Sequence, residues 1–281
     1  MSKNVLTIHD HSRYFNNYTY IYPVISRRSE GISIGINLNL NNACNWRCIY
    51  CQVEGLQRGK PDSIDVIQLE QELDQMLDWI VNGDFIQRFV PVGMQRLNDI
   101  CLAGNGEPTL SPNFEEVCRI VVKLYRKYKL EHKVKIILIT NGSKIHQPNI
   151  QQGIKLFAAQ NGEVWFKIDR ATNLDIKRIN QVDVKLDVVI KRLDIVSSLC
   201  KTYIQTCWFN YLGNAPSEQE IVEFLLLLDQ VKHEIAGVLL YSTARNPALP
   251  EGENIIQVSP EFLNMFTQRI KSLSLEVRSY L

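Results

Sequence analysis

"GISIGINLNLNNACNWRCIYCQVEGL", residues 31–56, decides how this chain is read. Its first ten residues, 31–40, alternate apolar and polar side chains as a β-strand does. The rest reads as a loop and carries Cys44, Cys48 and Cys51. Gaps of three residues and then two let the thiols converge from one turn of chain onto a single centre, which points to metal before disulfide. A structural zinc site closes four ligands, usually as two separated pairs, and no second Cys-x-x-Cys pair occurs in the chain. A 4Fe-4S cubane accepts three cysteine thiolates and leaves one iron open, which calls for a ligand from outside the protein. The plainer reading, small buried hydrophobes in a core segment, is opposed by Asn41, Asn42, Asn45, Trp46 and Arg47 around the cysteines.

The chain has 281 residues, 45% hydrophobic and 22% charged, enough for one large domain or two small ones with a real core. No stretch approaches the roughly 20 apolar residues of a membrane span, and residues 1–20 lack the apolar region of a signal peptide. The expectation is a cytoplasmic protein with no membrane partner. Seven cysteines, an odd number, fit a reducing compartment in which thiols serve metal or redox chemistry rather than disulfides. A formal net charge of +1 exerts no global pull on nucleic acid and neither supports nor excludes RNA as a partner.

Strand-like and helix-like patterns alternate from residue 32 onward. After the strand at 31–40, further strands are expected at 99–104, 134–140, 163–169, 202–209 and 237–242. Between them Leu69, Leu73, Met76, Leu77 and Ile80 recur at helical spacing, and Ser111 with Pro112 reads as the N-cap and first residue of a second helix. A weak helix covers 150–159 and another 185–199. Ser217 with Glu220 forms a capping box, and Ser259 with Pro260 starts the last helix. Six strand-helix units with near-continuous apolar strands predict an α/β fold with a parallel sheet, a partial (β/α)6 barrel of TIM type. Residues 1–30 are expected as an N-terminal extension packing on the barrel, and residues 31–281 as the core domain. Residues 84–98 show no clear pattern, and read either as an insertion that contacts a partner or as a long connection.

In closed barrels the chemistry sits at the C-terminal ends of the strands, and polar residues follow these strands directly. "AGNGEPTL" (103–110) brings Asn105, Gly106 and Glu107, where glycines let backbone approach a ligand and the carboxylate suits an ammonium group. Thr140 and Asn141 end the third strand, Lys167 and Asp169 the fourth, and Arg245 follows the sixth. Taken singly, Asn141-Gly142 is also a generic turn, Lys167 and Asp169 an ion pair, and Arg245 a loop cap. The remaining cysteines, Cys101, Cys118, Cys200 and Cys207, fall in strands and helices and read as core residues.

Taken together, these residues resemble the radical S-adenosylmethionine (radical SAM) superfamily, whose C-x3-C-x2-C signature, with an aromatic residue before the last cysteine, matches Cys44, Cys48, Tyr50 and Cys51. The resemblance covers nearly the whole chain and implies the six-unit partial barrel. It also implies a 4Fe-4S cluster on the three cysteines, with S-adenosylmethionine on the fourth iron. The family's Gly-Gly-Glu motif is matched by Asn105, Gly106 and Glu107, with Asn in place of the first Gly. By the same resemblance Thr140, Asn141, Lys167 and Asp169 face the methionine carboxylate or the ribose, and Tyr50 helps seat the adenine. Residues 22–38, "GNGEPTL", "VWFKIDRAT" and "YSTARNPA" look most like Fe-S oxidoreductases grouped with the wyosine-forming tRNA enzymes, without their second cysteine set.

The resemblance implies one-electron reduction of the sulfonium, a 5'-deoxyadenosyl radical and hydrogen abstraction from a substrate, with an electron donor such as flavodoxin or ferredoxin. Three roles stand open: modification of an RNA base or nucleotide, activation or modification of a protein or peptide, and a non-catalytic electron-transfer or sensor role. Arg170 and Arg245 are candidate substrate-side cations. The basic stretch 123–135, with interleaved tyrosines, reads either as an RNA surface or as the solvated end of a helix.

Overall fold

The computed structural model describes residues 5–8, 12–26 and 30–280. Residues 1–4, 9–11 and 27–29, which belong to the expected extension or to the 22–38 stretch, and Leu281 lie outside the described residues. One eight-stranded sheet organises the chain: β1 (Ile21–Ser26), β2 (Gly31–Ile36), β3 (Leu97–Leu102), β4 (Lys135–Thr140), β5 (Gly162–Lys167), β6 (Thr202–Cys207), β7 (Gly237–Tyr241) and β8 (Val277–Tyr280). The spatial order is the chain order. β1 runs antiparallel to β2, and every later strand is parallel to its predecessor. A sheet whose crossovers all step in one direction curls toward a barrel, whereas a doubly wound sheet reverses its order. The end strands β1 and β8 are not paired with each other, so the barrel is partial.

The six expected strands are β2–β7. Along each, alternate residues point to opposite faces. Ile34, Ile100, Leu138, Phe166 and Leu240 join the core packed under the helices, while Ser33, Asp99, Trp165, Gln205 and Tyr241 face the hollow. The helices α1 (Val66–Val81), α2 (Phe85–Phe89), α3 (Phe114–Lys127), α4 (Pro148–Ala158), α5 (Asn173–Asn180), α6 (Leu186–Ser197), α7 (Glu218–Val231) and α8 (Pro260–Lys271) connect the strands. The capping box of Ser217 and Glu220 starts α7, and Ser259 caps α8. The start of α3 differs from expectation. Pro108–Leu110 forms a 3-10 turn that ends on Ser111, so the helix begins at Phe114 with Asn113 at its N-cap.

The stretch 84–98 is a connection that packs on the chain's own N-terminal arm. Phe85 and Phe89 of α2 lie 5.6 Å from the Phe15 ring, and Trp79 of α1 lies 5.2 Å from Phe85. Glu72 of α1 is buried, and its carboxylate accepts the backbone N–H groups of Thr19, Tyr20 and Ile21, which fixes the entry of β1. In the basic stretch, Lys123 pairs with Glu70 at 2.5 Å and Lys127 with Asp74 at 2.6 Å, both on α1. Tyr125 and Tyr128 donate to Val134 O and Asp74. These groups therefore hold α3 to its neighbours.

Phe85 is fully buried. Phe85→Ala is expected to destabilise the protein by about 3–5 kcal/mol through lost packing and a residual cavity. Urea unfolding of the two proteins checks this: a lower midpoint at unchanged slope is the expected result.

Candidate active site

The three cysteines lie at the C-terminal ends of the strands, on a loop with almost no regular structure. Only the two-residue ladder of Ala43–Cys44 with Gln57–Arg58 interrupts it. Other parts of the chain hold it instead. Arg47 N and Ile49 N donate to Asn180 O and Ile179 O at the end of α5, at 3.2 and 2.9 Å. From the other side, Ala248 N donates to Cys51 O at 2.7 Å. Arg47 forms a bidentate pair with Glu251 at 2.6 and 3.1 Å, and Arg245 and Gln52 exchange hydrogen bonds at 2.6 and 3.1 Å.

Cys44, Cys48 and Cys51 all line one cavity of about 400 Å3. Among the described residues, no three His, Cys, Asp or Glu side chains gather as ligands of one metal ion. Thiolates on a lone tetrahedral zinc stand only about 3.8 Å apart, given Zn–S bonds of about 2.3 Å. A cubane spreads its ligands over different irons, so three cavity-facing thiols on one loop fit a cluster better than a single ion. Burial pushes the Cys44 thiol up to about 12 and the Cys48 thiol up to about 11. Both are therefore protonated at neutral pH without metal, and metal binding must displace those protons.

The next loop wedges against the segment that leads into the cysteines. A Cβ on Gly104 would come within 2.2 Å of Asn37 Oδ1, and one on Gly106 within 2.1 Å of Ala43 O, so only glycine fits at either position. Asn105 N donates to Asn37 Oδ1 at 3.0 Å and its side-chain amide to Asn42 Oδ1 at 2.6 Å. Its own Oδ1 is buried without a hydrogen-bond partner among the described residues. Glu107 is buried, which raises its pKa against the pull of its hydrogen bonds. Its carboxylate accepts from Thr109 N, Thr109 Oγ1, Thr140 Oγ1 and Asn141 N at 2.6–3.1 Å, and so ties the loop after β3 to the end of β4.

Of the residues expected at the site, Tyr50, Asn105, Gly106, Glu107, Asn141, Lys167 and the three cysteines border the cavity. Thr140 and Asp169 are buried behind it. The Asp169 carboxylate accepts from Tyr50 Oη at 2.5 Å, Asn180 Nδ2 at 2.6 Å and Cys207 N at 2.9 Å. Lys167 lies 4.9 Å over the Tyr50 ring, and its Nζ makes no hydrogen bond among the described residues. Burial disfavours its charge, but the fields of Tyr241, Asp169 and Cys48 outweigh that and raise its pKa. Arg245 borders the cavity. Arg170 does not: its guanidinium lies 4.2 Å from the Trp208 ring centre and donates to Asp169 O and Cys207 O, so it is a strut between β5 and β6. Cys118 and Cys200 are core residues as expected. Cys101 and Cys207 are buried too, but border the cavity from the inner face of the sheet.

Sequence reasoning missed Asn180 and Arg13. Asn180 donates to both Asp169 and Cys48 Sγ, the latter at 3.3 Å. Arg13 lines the cavity, and its guanidinium donates to Gly104 O at 3.1 Å. A polar residue at a helix end and an arginine in an irregular arm carry no pattern that distinguishes them from caps and surface charges.

The radical SAM superfamily model matches residues 38–228, more than half of the chain. A UPF0026 protein of Helicobacter pylori (strain J99) is 25% identical over 82% of this chain and 70% of its own length. An S-adenosylmethionine-dependent nucleotide dehydratase of Psychrobacter lutiphocae is 32% identical over 52% of this chain and 45% of its own length. In fold, the chain is similar to a radical SAM methyltransferase of Sphaerobacter thermophilus, with a TM-score of 0.58 at 14% identity over 92% of this chain and 68% of that one. No helix among the described residues is long and apolar enough to cross a membrane. The cysteine loop, the curled parallel sheet and the family match agree, and the chain belongs to the radical SAM superfamily.

Proposed function

We propose that this chain is a cytoplasmic oxidoreductase that holds a 4Fe-4S cluster on Cys44, Cys48 and Cys51, cleaves S-adenosylmethionine reductively and takes a hydrogen atom from a nucleotide or RNA base. Its electrons would come from a donor of the flavodoxin or ferredoxin type. The observation that carries this reading is that three thiols and the half-buried Lys167 border one cavity beside Asn105, whose Oδ1 has no hydrogen-bond partner among the described residues. When bound, the cluster supplies the electron that splits S-adenosylmethionine into methionine and a 5'-deoxyadenosyl radical.

The chain's own residues bind and orient. Asn105 Oδ1 accepts a hydrogen bond from the methionine ammonium, and Lys167 Nζ pairs with the methionine carboxylate. Glu107 and Asp169 act as positioning residues, since their carboxylates already bind neighbouring strand ends and side chains. Trp46 and Tyr50, both buried, border the cavity together with the thiols. The nucleotide reading draws on the named activity of the Psychrobacter relative. It also draws on aromatic walls at Trp165 and Tyr241, on which a base can stack. Arg13, whose Nε–H is buried without a partner among the described residues, suits a phosphate.

Reconstituted wild-type protein, reduced with dithionite and given S-adenosylmethionine, is expected to release 5'-deoxyadenosine. Cys44→Ala, Cys48→Ala and Cys51→Ala should each reduce that product to background. Nucleoside triphosphates and tRNA, added separately, test the substrate class: one of them should stimulate cleavage, and indifference to both would remove the nucleotide reading.

Lys167→Met keeps the length of the side chain but loses its charge. Losing a charge-assisted hydrogen bond worth about 1.5–3 kcal/mol should raise the Kd for S-adenosylmethionine by roughly 10–100-fold. Equilibrium dialysis at matched iron content checks this, and an unchanged Kd would remove Lys167 from the cofactor site.

A further inference from the structure

We infer that Asn180, at the end of α5, sets the reduction potential of the cluster by donating a hydrogen bond to the sulfur of Cys48. The inference rests on the proposed function, since it requires a cluster on that thiolate. Asn180 is 1% exposed, and its Nδ2 lies 3.3 Å from Cys48 Sγ and 2.6 Å from Asp169 Oδ2. The two hydrogens of one amide nitrogen therefore serve two acceptors.

The chemistry of the surroundings fixes which end of the amide faces the cysteine. Reversed, Asn180 would direct its oxygen at the Asp169 carboxylate, acceptor against acceptor, and with a cluster bound it would direct the same oxygen at the Cys48 thiolate as well. Asp169 cannot turn away, because Tyr50 Oη and Cys207 N hold it at 2.5 and 2.9 Å. The backbone is held as well: Asn180 O accepts from Arg47 N, the residue before Cys48. The donor is thus aimed at the sulfur by groups that do not themselves touch the sulfur through a hydrogen bond.

Reduction of a 4Fe-4S cluster adds one electron and breaks no bond, and part of the added negative charge falls on the cysteine sulfurs. An N–H aimed at such a sulfur stabilises the reduced form more than the oxidised form and raises the potential. The side chain is not one of the three thiol ligands, and Asn180 is not among the residues that line the cavity. It acts through Cys48 as a positioning and tuning residue, and so governs which one-electron donors can load the cluster.

The test is a redox titration of reconstituted wild-type protein, Asn180→Leu and Asn180→Ala, with dithionite as the electron source. The reduced cluster is followed by electron paramagnetic resonance, without S-adenosylmethionine, and iron and sulfide are assayed on the same samples. The expected result is full iron content with the reduction equilibrium moved about tenfold toward the oxidised form, a fall of ~59 mV for one electron. Equal potentials at equal iron content would overturn the inference and leave the proposed function standing. Loss of iron from both variants, with wild type loaded, would make Asn180 a brace of the loop and would also overturn it. A wild-type protein that takes up no iron would remove the proposed function, and the inference with it.

Discussion

Three thiols on the irregular chain from Cys44 to Cys51 can keep one geometry only if other elements satisfy and hold that backbone. Two elements do so. The end of α5 accepts from Arg47 N and Ile49 N, and the segment after β7 contributes Ala248 N, Arg245 and Glu251. These contacts reach across the whole sheet, from the loop after β2 to those after β5 and β7. The curled order of strands makes this possible, because it brings loops far apart in sequence around one opening.

The same arrangement divides the polar groups of the site into two kinds. Glu107, Thr140, Asp169 and Arg170 are buried and engaged with backbone or side chains of neighbouring strands, so they hold strand ends in register. Removing a buried carboxylate with several donors is costly, since it leaves those donors unsatisfied. Among the described residues Lys167 Nζ lies over the Tyr50 ring and Asn105 Oδ1 is buried without a hydrogen-bond partner, and both residues border the cavity. Gly104 and Gly106, on either side of Asn105, keep the close approach to Asn37 and Ala43.

Much of this was legible in the sequence, for physical reasons. Strands β2–β7 are inside a parallel sheet, and burial gives them apolar runs that stand out. Strands β1 and β8 are edges. β1 carries Pro23, which an edge tolerates, and β8 is half polar in "VRSY", so neither has the signature of a central strand. The cysteine spacing is local and was read directly. The division of roles among Glu107, Lys167 and Asp169 was not, because it depends on which partners the fold brings within hydrogen-bond reach. Arg170 illustrates the difficulty: a charged residue after a strand reads as a site residue, and the Trp208 ring, two carbonyls and the Glu220 carboxylate beside it reveal a strut.

The claim on which everything else stands is that the three thiols hold a cluster with one position left for S-adenosylmethionine. Electron paramagnetic resonance of the dithionite-reduced protein, recorded before and after addition of S-adenosylmethionine, tests it most directly. A reduced-cluster signal that changes shape on addition is the result this account predicts. A signal that S-adenosylmethionine leaves untouched, or reconstituted protein with no such signal, would contradict it.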